Sequence, residues 1–437
     1  MNRPPPRPGG PARRGPGRVS REVIDVEAVY QRCVGIDVGK AEAKVCLRVQ
    51  GRGSRPTKCT GTTWSTRTPQ LIKLRDRLVA EKVQRVVMES TSDYWRSMFY
   101  VLSEQLDVIL VKASDVKAMP GRKSDVSDAE WLADLGAHQL VRASFVPPEQ
   151  QRALRDLCRA RARLLDDRTR ELQRLEKALE EACIKLSTVA SNLQGVSARQ
   201  MLHALIEGRD DPAVMAELAK GRMRVKIAEL TEALTGRVNE HHRFMISFRL
   251  RRIDAATDDL AVLDTRIDEL IREAPGFSSA RDLLLTVPGF GVRGAEDLLA
   301  EIGPDMTVFA CTEHLASWVG VCPGSHESAG KKKNVAVRPG DRYAKRALGM
   351  AAKNVIRHNS GFLSVRFKRL AARRGYPKAL VATEHAMIIA IWHMLTTGTG
   401  YHDLGSDYYI RRTPEKVIRR KIADLEAAGY TVTQTAA

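Results

Sequence analysis

Four acidic residues in the first third of the chain have the types and spacing of a divalent-metal site. They are Asp37, Glu89, Asp125 and Asp128. Asp37 and Glu89 each end an apolar run, which predicts that they lie at strand ends, and a helix would place Asp125 and Asp128 on one face. Charged oxygen ligands suit Mg²⁺ bound together with substrate phosphate, and two such ions stabilise both oxygens of a phosphodiester displacement. The pattern therefore predicts Mg²⁺-dependent phosphodiester chemistry.

Each acid taken singly also has a purely structural explanation. An Asp at a strand end is often a turn residue. Asp125 follows Ser124 and could favour a helix N-terminus, and Asp128 lies within a possible capping box from Ser127 to Glu130. Four clustered carboxylates would repel one another without a cation, so their combination favours the metal site.

The C-terminal part of the chain contains two segments suited to nucleic acid. Residues 284–291 have the pattern of a helix-hairpin-helix, in which Gly289 and Gly291 would expose backbone N–H groups to a phosphate. A plain helical hairpin with a glycine turn is the alternative. The polar loop at 318–333 leads into cations that we expect to bind nucleic acid, namely Lys331, Lys332, Lys333, Arg338 and Arg342.

This loop also contains Ser328. Cations close to a loop serine could stabilise the transition state of its attack on a phosphate. Most loop serines are simply solvated, however, so the residues by themselves do not assign Ser328 a role.

The elements that would position the acids follow from apolar patterning in residues 30–146. Strands are predicted at 33–37, 42–49, 83–88 and 108–111, and helices at about 69–80, at about 93–104 and from Ser124 onward. This order is that of a ribonuclease-H-like α/β domain, although other α/β folds fit as well. Residues 1–29 are predicted to be a disordered basic tail, since residues 1–21 contain six Arg, six Pro, four Gly and no acid.

The rest of the chain is predicted to be mainly helical. Residues 147–280 carry two apolar stripes at spacings of three, four or seven, around an irregular helical insert at about 195–245. The stripes predict a long coiled-coil linker that dimerises the protein or separates its ends. Residues 281–410 would form a C-terminal α domain with the helix-hairpin-helix, and residues 411–437 a charged tail.

Composition favours a polyanionic partner. The 437 residues include 71 Lys and Arg against 52 Asp and Glu, a formal net charge of +19. Since neutralised phosphates release counterions, nucleic acid is the first candidate, and charge that only confers solubility is the alternative. The chain has no apolar run of membrane-spanning length and no secretory signal, so we expect a cytoplasmic, nucleoid-associated protein without a membrane partner. Its seven cysteines form no CxxC pair, which argues against structural zinc and a disulfide framework.

Three segments resemble those of the DEDD transposases, the insertion-sequence family called "one-ten", whose catalytic domain is similar to the resolvase RuvC. They are GIDVGK at 35–40, MESTSDYW at 88–95 and KSDVSDA at 123–129. The resemblance extends through most of the chain. It implies a RuvC-like domain at 30–146 with metal-binding carboxylates at the four acids. Ser92 stands where a Gly is usual, which should affect the turn more than the ligands.

The C-terminal domain resembles the same family. GVCP at 320–323, SAGK at 328–331 and GDR at 340–342 match the order and spacing of its motifs. The resemblance implies that Ser328 forms a covalent 5′-phosphoserine link to DNA, although Ala329 replaces a usual Gly and Ser325 lies nearby. It also implies donor and target DNA and a bridge (guide) RNA as partners. A homo-oligomer, dimer or tetramer, would join one protomer's acids to another's serine.

Two other functions remain open at this stage. A RuvC-like nuclease would use the same metal ions with water as the nucleophile. The segment GIDVG at 35–39 is also similar to the phosphate-binding hairpin of actin and sugar-kinase ATPases, but the chain lacks their second Asp-x-Gly hairpin and adenosine-binding segment. A catalytically silent nucleic-acid-binding relative is opposed by the presence of all four acids.

Overall fold

The computed structural model describes residues 27–51, 55–90, 92–117, 119, 127–322, 327–328, 331–332, 337, 339–358, 360–412 and 414–433. The chain forms two compact units, Met1–Val146 and Pro147–Ala437. Most of the predicted basic tail, residues 1–26, lies outside the described residues.

A five-stranded mixed sheet organises the first unit. Its strands are β1 (Arg32–Val38), β2 (Glu42–Val49), β3 (Lys58–Ser65), β4 (Arg85–Glu89) and β5 (Val108–Val111). The order across the sheet is β3-β2-β1-β4-β5, with β1, β2 and β3 antiparallel and β1, β4 and β5 parallel. The mixed α/β prediction is confirmed, and the strand order is compatible with the ribonuclease-H-like prediction. Strand β3 was not predicted, because it is an edge strand without a buried residue and so lacks apolar alternation.

Helices cover both faces of this sheet. They are α1 (Thr68–Ala80), α2 (Trp95–Ser103), α3 (Ala113–Lys117) and α4 (Asp128–Ala137). Helices α1 and α2 share a core with Ile36 and Met88, whereas α4 shares a core with Cys33 and Val87 on the opposite face. The helix predicted to start near Ser124 begins instead at Asp128. Ser127 is its N-cap, and the Ser127 hydroxyl accepts a hydrogen bond from the Glu130 N–H at 3.2 Å.

Two long helices dominate the first half of the second unit. Its elements are α5 (Glu149–Glu181), α6 (Leu186–Val189), α7 (Val196–Ile206), α8 (Pro212–Ala216), a 3₁₀ helix (Gly221–Lys226), α9 (Ile227–Leu234) and α10 (Glu240–Glu273). Helices α5 and α10 pack against each other, and the short helices between them share a core with Leu175 and Ile246. The helical insert is thus present, and the coiled-coil interpretation of α5 and α10 stays a prediction.

The second half of this unit is also helical. It contains α11 (Phe277–Leu285), α12 (Val292–Ile302), a 3₁₀ helix (Met306–Val308), α13 (Thr312–Val319), β6 (Glu327–Ser328), β7 (Lys331–Lys332), α14 (Arg342–His358), α15 (Phe362–Arg374), α16 (Tyr376–Thr397), α17 (Tyr408–Arg412) and α18 (Pro414–Ala427). Its core also includes Leu154 of α5 and Ile267 of α10. The first part of α5 is therefore packed into the same body as α12 and α14.

Helix α16 is long and apolar enough to cross a bilayer, with a mean hydropathy of 1.3. It contains the longest apolar run in the sequence, residues 386–395, which is too short for a membrane span and is interrupted by His393. Its residues Met387, Ile388 and Ile391 are completely buried in the core of the second unit. A core helix of a soluble protein passes the same test of length and composition, so the helix is weak evidence for a membrane span.

Candidate active site

Asp37 and Glu89 lie at the carboxyl ends of neighbouring parallel strands. The register of β1 and β4 pairs Ile36 with Met88, so the two acids occupy the next position on each strand. Side chains alternate between faces, which places both acids on the face that also carries Cys33 and Val87. Adjacent strands are about 5 Å apart, and both acids are half-buried. Two carboxylates at one sheet edge, accessible but partly shielded from water, are suitable ligands for a hard divalent cation.

The first turn of α4 lies over the same face of the sheet. Gly35 is the position of closest approach, because a Cβ atom there would lie 2.0 Å from the Ala129 carbonyl oxygen and 2.4 Å from the Ala133 nitrogen. Farther along α4, Asp134 accepts a hydrogen bond from the buried Arg48 guanidinium of β2 at 2.9 Å. These contacts fix α4 on β1 and β2, and the contact with β1 lies two residues before Asp37.

Asp128 is the first residue of α4 and is exposed. Its neighbour Ala129 contacts Gly35, so the backbone of Asp128 starts near the strand that carries Asp37. A helix N-terminus also favours an acidic residue, so the predicted structural explanation for Asp128 has support alongside the metal-binding one.

The predicted four-acid cluster is only partly described. Asp125 lies outside the described residues, and α4 begins at Asp128, so the placement of Asp125 beside Asp128 stays a prediction. Among the residues that the structure describes, no group of three or more His, Cys, Asp or Glu side chains is placed to hold a metal ion. The described part of the chain brings Asp37 and Glu89 to one edge and α4 to their side, and this part alone does not form a complete ligand set.

Ser92, the predicted departure from the family pattern, adopts a positive φ of 52°. This is the left-handed region, which costs a non-glycine residue about 1–2 kcal/mol. Ser92 follows β4 and Glu89 in the chain, and it is exposed. The departure therefore falls on a position where glycine would be better accommodated.

The predicted nucleophile, Ser328, lies in a two-stranded hairpin. Its backbone belongs to β6, which is antiparallel to β7, and Ser328 is paired with Lys331. Ser325, Ala329, Lys333 and Arg338 lie outside the described residues, and Lys332 is described only through its strand. The backbone thus brings a lysine opposite the serine in the strand register.

The segment that carries this hairpin is closed at its ends. We define the loop base as Trp318, Gly320, Gly340, Asp341 and Lys345. The Asp341 N–H donates to the Trp318 carbonyl at 3.2 Å, and Lys345 Nζ donates to the Gly320 carbonyl at 3.3 Å. A Cβ atom on Gly340 would lie 2.3 Å from the Val319 carbonyl oxygen, so only glycine fits there. The GDR motif thus has a structural role in closing the loop.

Gly289 and Gly291 differ in their surroundings. Helices α11 and α12 form a hairpin around them, as predicted, and the helix-hairpin-helix assignment stays a prediction. A Cβ atom on Gly289 would lie 2.2 Å from the Ala351 carbonyl oxygen, and Asn354 donates to the Gly289 carbonyl at 3.2 Å. Gly289 is therefore needed for packing against α14, whereas Gly291 is exposed at the start of α12 with open space beside it.

Arg342 is the predicted cation with a described side chain. It is exposed, lies 4.7 Å from the ring centre of Tyr343 and donates to the Tyr343 hydroxyl at 2.8 Å. This cation is therefore available to a phosphate at the first turn of α14.

Sequence analysis missed a buried charged cluster between α5, α10 and α12. Arg161 is 1% exposed and donates to Asp264, Glu296 and Asp297 at 3.0, 2.6 and 2.7 Å. Arg161 lies between Cys158 and Leu165 at the spacing of the apolar stripe. This position could have predicted that the arginine is buried. An arginine at a core position predicts buried acidic partners, but their identity depends on the fold.

Comparisons with known proteins agree with the resemblance in the sequence. Residues 34–184 match the profile of the DEDD-type IS110 proteins, described as "Transposase". Residues 281–365 match the profile described as "Transposase IS116/IS110/IS902 family". These two segments contain Asp37, Glu89, Asp125, Asp128 and Ser328.

Several curated proteins are similar to the chain. A putative transposase of Sinorhizobium fredii is 24% identical over 71% of this chain and 72% of its own length. A probable family 20 transposase of Pseudomonas aeruginosa is 25% identical over 72% of this chain and 85% of its own length. A pilin gene-inverting protein of Moraxella bovis is 38% identical over a shorter segment, 16% of this chain and 22% of its own length.

Proposed function

Because the chain belongs to the IS116/IS110/IS902 family of transposases, we propose that it mobilises an insertion element by strand exchange through a covalent serine intermediate. Membership implies an enzyme that cuts and rejoins DNA. The observation that carries the proposal further is that Asp37 and Glu89 follow the paired residues Ile36 and Met88 at one sheet edge, within the segment matched by the DEDD family. The strand order of the first unit supports a RuvC-like catalytic domain.

The carboxylates would hold the metal ion in this proposal. Asp37 and Glu89 are placed as neighbours, and Asp128 and Asp125 would complete the set from the start of α4 and the residues before it. Hard oxygen donors fit Mg²⁺, which when bound supplies charge neutralisation at the phosphate. Asp37 and Glu89 are half-buried, so a metal ion that they held would be partly shielded from water and still accessible to a DNA phosphate.

Ser328 would supply the nucleophile. Its Oγ forms a bond to the scissile phosphorus while the bond from phosphorus to the 3′ oxygen breaks. The serine proton leaves to solvent, and the departing 3′ oxygen takes up a proton to become a hydroxyl. The product is a 5′-phosphoserine link, which the 3′ hydroxyl of another strand resolves by the reverse displacement. The number of phosphodiester bonds is conserved, so no external energy source is required.

The cations around Ser328 would position the DNA backbone. Lys331 is opposite Ser328 in the strand register, and Arg342 lies exposed at the start of α14. Lys332, Lys333 and Arg338 belong to the same segment, and Gly291 is exposed at the start of α12. Such contacts fix the phosphate that Ser328 attacks.

The decisive experiment is a search for the covalent adduct. The purified protein is incubated with end DNA of its own element, Mg²⁺ and co-expressed element RNA, and adducts are resolved after denaturation. We expect Ser328→Ala to abolish the adduct and Ser325→Ala to retain it. If Ser325→Ala abolished the adduct and Ser328→Ala retained it, the nucleophile would be Ser325. Cleavage that continues without any adduct in the wild type would establish the water-dependent nuclease and overturn the serine mechanism.

The RNA partner and the oligomer are parts of the same proposal. The net charge of +19 is compatible with RNA as well as DNA. We expect RNA encoded by the element to copurify through a high-salt wash and to be required for strand exchange. A dimer or tetramer would join the acids of one protomer to the serine of another. Mixing Asp37→Asn with Ser328→Ala protein tests this, because a composite site regains activity in mixed oligomers.

A further inference from the structure

A partly buried arginine, Arg159, links helix α5 to the loop base. Arg159 of α5 donates through Nε and Nη2 to the two carboxylate oxygens of Glu301, at 2.7 and 2.8 Å. The same Nη2 donates to Asp341 Oδ2 at 3.3 Å. Its guanidinium lies 4.8 Å from the ring centre of Tyr343. One side chain thus joins α5, α12 and the first turn of α14.

Asp341 connects this arginine to the chain that carries Ser328. Its other oxygen, Oδ1, accepts hydrogen bonds from the Tyr343 and Ala344 N–H groups at 2.9 and 2.8 Å. Asp341 therefore caps α14 with one oxygen and meets Arg159 with the other. Its own N–H closes the loop base at Trp318. A shift of Asp341 would move the cap and the loop closure together.

Arg155 provides an internal comparison, because it contacts the same acid without contacting the loop base. It lies one turn earlier on α5, 2.9 Å from Glu301 Oε2, and it donates to the Glu301 carbonyl at 2.6 Å. Within the described residues, its hydrogen bonds end at α12. Glu301 is 1% exposed, and because both arginines contact it, it retains one cation if either is removed.

A second contact between α5 and α14 is weaker. Arg346 donates to both oxygens of Asp166 at 2.8 and 2.9 Å, and this hydrogen bonding lowers the pKa of Asp166. Both side chains are nearly half exposed, and exposed pairs contribute only about 0–1 kcal/mol. Arg163 of α5 also hydrogen-bonds to Tyr343. Arg159, which is 25% exposed and has three partners, is the arginine of α5 whose described hydrogen bonds reach Asp341 in the loop base.

We propose that Arg159 is a positioning residue through which α5 fixes the loop base and the hairpin that presents Ser328. The inference rests on the proposed function for its catalytic consequence, but not for the positioning itself. Helix α5 directly follows the Val146–Pro147 boundary between the two units. It is thus the first element of the second unit, and Arg159 joins that element to the serine-bearing segment.

The test compares Arg159→Gln with Arg155→Gln in the full-length protein. Hydrogen exchange is measured on peptides spanning residues 316–345, together with the melting temperature and the rate of covalent adduct formation. We expect Arg159→Gln to raise exchange at the loop base about tenfold. The adduct rate should fall about tenfold or more, because a small misplacement of a nucleophile costs that much. Arg155→Gln should change the exchange rate and the adduct rate by less than about threefold, although it also removes one positive charge beside Glu301.

The outcomes separate the inference from the proposed function. Unchanged exchange at 316–345 in Arg159→Gln, or equal effects of the two variants at equal melting temperature, would overturn the positioning role. Raised exchange in Arg159→Gln but not in Arg155→Gln would support the positioning role of Arg159. This would hold even if Ser328→Ala still formed the adduct, because that result would contradict only the assignment of Ser328 as the nucleophile. Restored adduct formation in Arg159→Lys, which keeps a cation near Asp341, would support positioning over a general loss of stability.

Discussion

A Cβ atom on Gly35 would lie 2.0 Å from the carbonyl oxygen of Ala129, so helix α4 rests directly on strand β1 at this position. Gly35 precedes Asp37 by two residues, and Ala129 follows Asp128. The contact between a glycine and a helix backbone therefore brings two of the candidate metal-binding segments together. The absent side chain is what permits this approach.

Gly35→Ala should destabilise the first unit. The added methyl meets backbone atoms that cannot rotate away, and such overpacking typically costs about 1–3 kcal/mol. Chemical unfolding of the full-length protein measures the loss. Gly61→Ala is the matched control, since Gly61 lies on β3 of the same sheet with nothing within 4 Å of its Cβ position. Equal stability of the Gly35 variant and the wild type would contradict the close packing.

Asp37→Asn and Glu89→Gln should each remove Mg²⁺ binding. Wild-type protein is expected to melt at a higher temperature in Mg²⁺ than in EDTA, because a ligand that binds only the folded state stabilises it. This difference should shrink or vanish in the two variants, along with DNA cleavage. Asp107→Asn is the control, as Asp107 precedes β5 at the opposite end of the sheet and pairs with Arg85 at 2.7 Å. An undiminished Mg²⁺ shift in Asp37→Asn would argue against the assigned ligands.

Replacing Lys331, Lys332 and Lys333 by Gln should weaken DNA binding and reduce its salt dependence. Each lost phosphate contact lowers the slope of log affinity against log salt by about 0.9, so the full effect is a reduction of up to about 2.7. Replacing Arg222, Arg224 and Lys226 removes the same charge from the 3₁₀ helix Gly221–Lys226 and serves as control. If both triple variants changed the slope equally, the effect would be general charge and not a contact at the hairpin.

Arg161→Met should destabilise the second unit strongly. It leaves Glu296 and Asp297 without their closest cation, and breaking a buried ion pair on one side costs about 3–5 kcal/mol. Arg170→Met on the same helix should change stability by less than about 0.5 kcal/mol, since Arg170 is 60% exposed. Denaturant titration followed by circular dichroism distinguishes the two. A small loss of stability in Arg161→Met would show that Arg281, which lies 3.6 Å from Glu296, is enough to compensate the charge of this buried acid.

Ser92→Gly should stabilise the protein. Relief of the positive φ contributes about 1 kcal/mol, partly offset by the greater flexibility of glycine in the unfolded chain. Thermal unfolding measures the gain, and Ser103→Gly near the end of α2 should instead be destabilising. A loss of stability in Ser92→Gly would mean that the serine side chain makes a compensating contact.

Much of the first unit follows from local pattern. Strands β1, β2, β4 and β5 were predicted within about two residues, because each carries a clear apolar pattern. Strand β3 was missed since an exposed edge strand needs no apolar face. The start of α4 was misplaced by four residues, because serine and aspartate occur at both 124–125 and 127–128 and either pair fits an N-cap.

The sequence by itself determined which residue types this protein offers for chemistry, since the acids, the loop serine and the cations are local facts of residue type and spacing. Tertiary structure decided which of them meet. Parallel pairing of β1 with β4 makes Asp37 and Glu89 neighbours across 52 residues of chain. The packing also showed that Gly289 allows close contact with α14. Arg161 and Arg159 have buried acidic partners on α12. Periodicity reports which face of an element is apolar, but it carries no information about which distant backbone or charge will lie against that face.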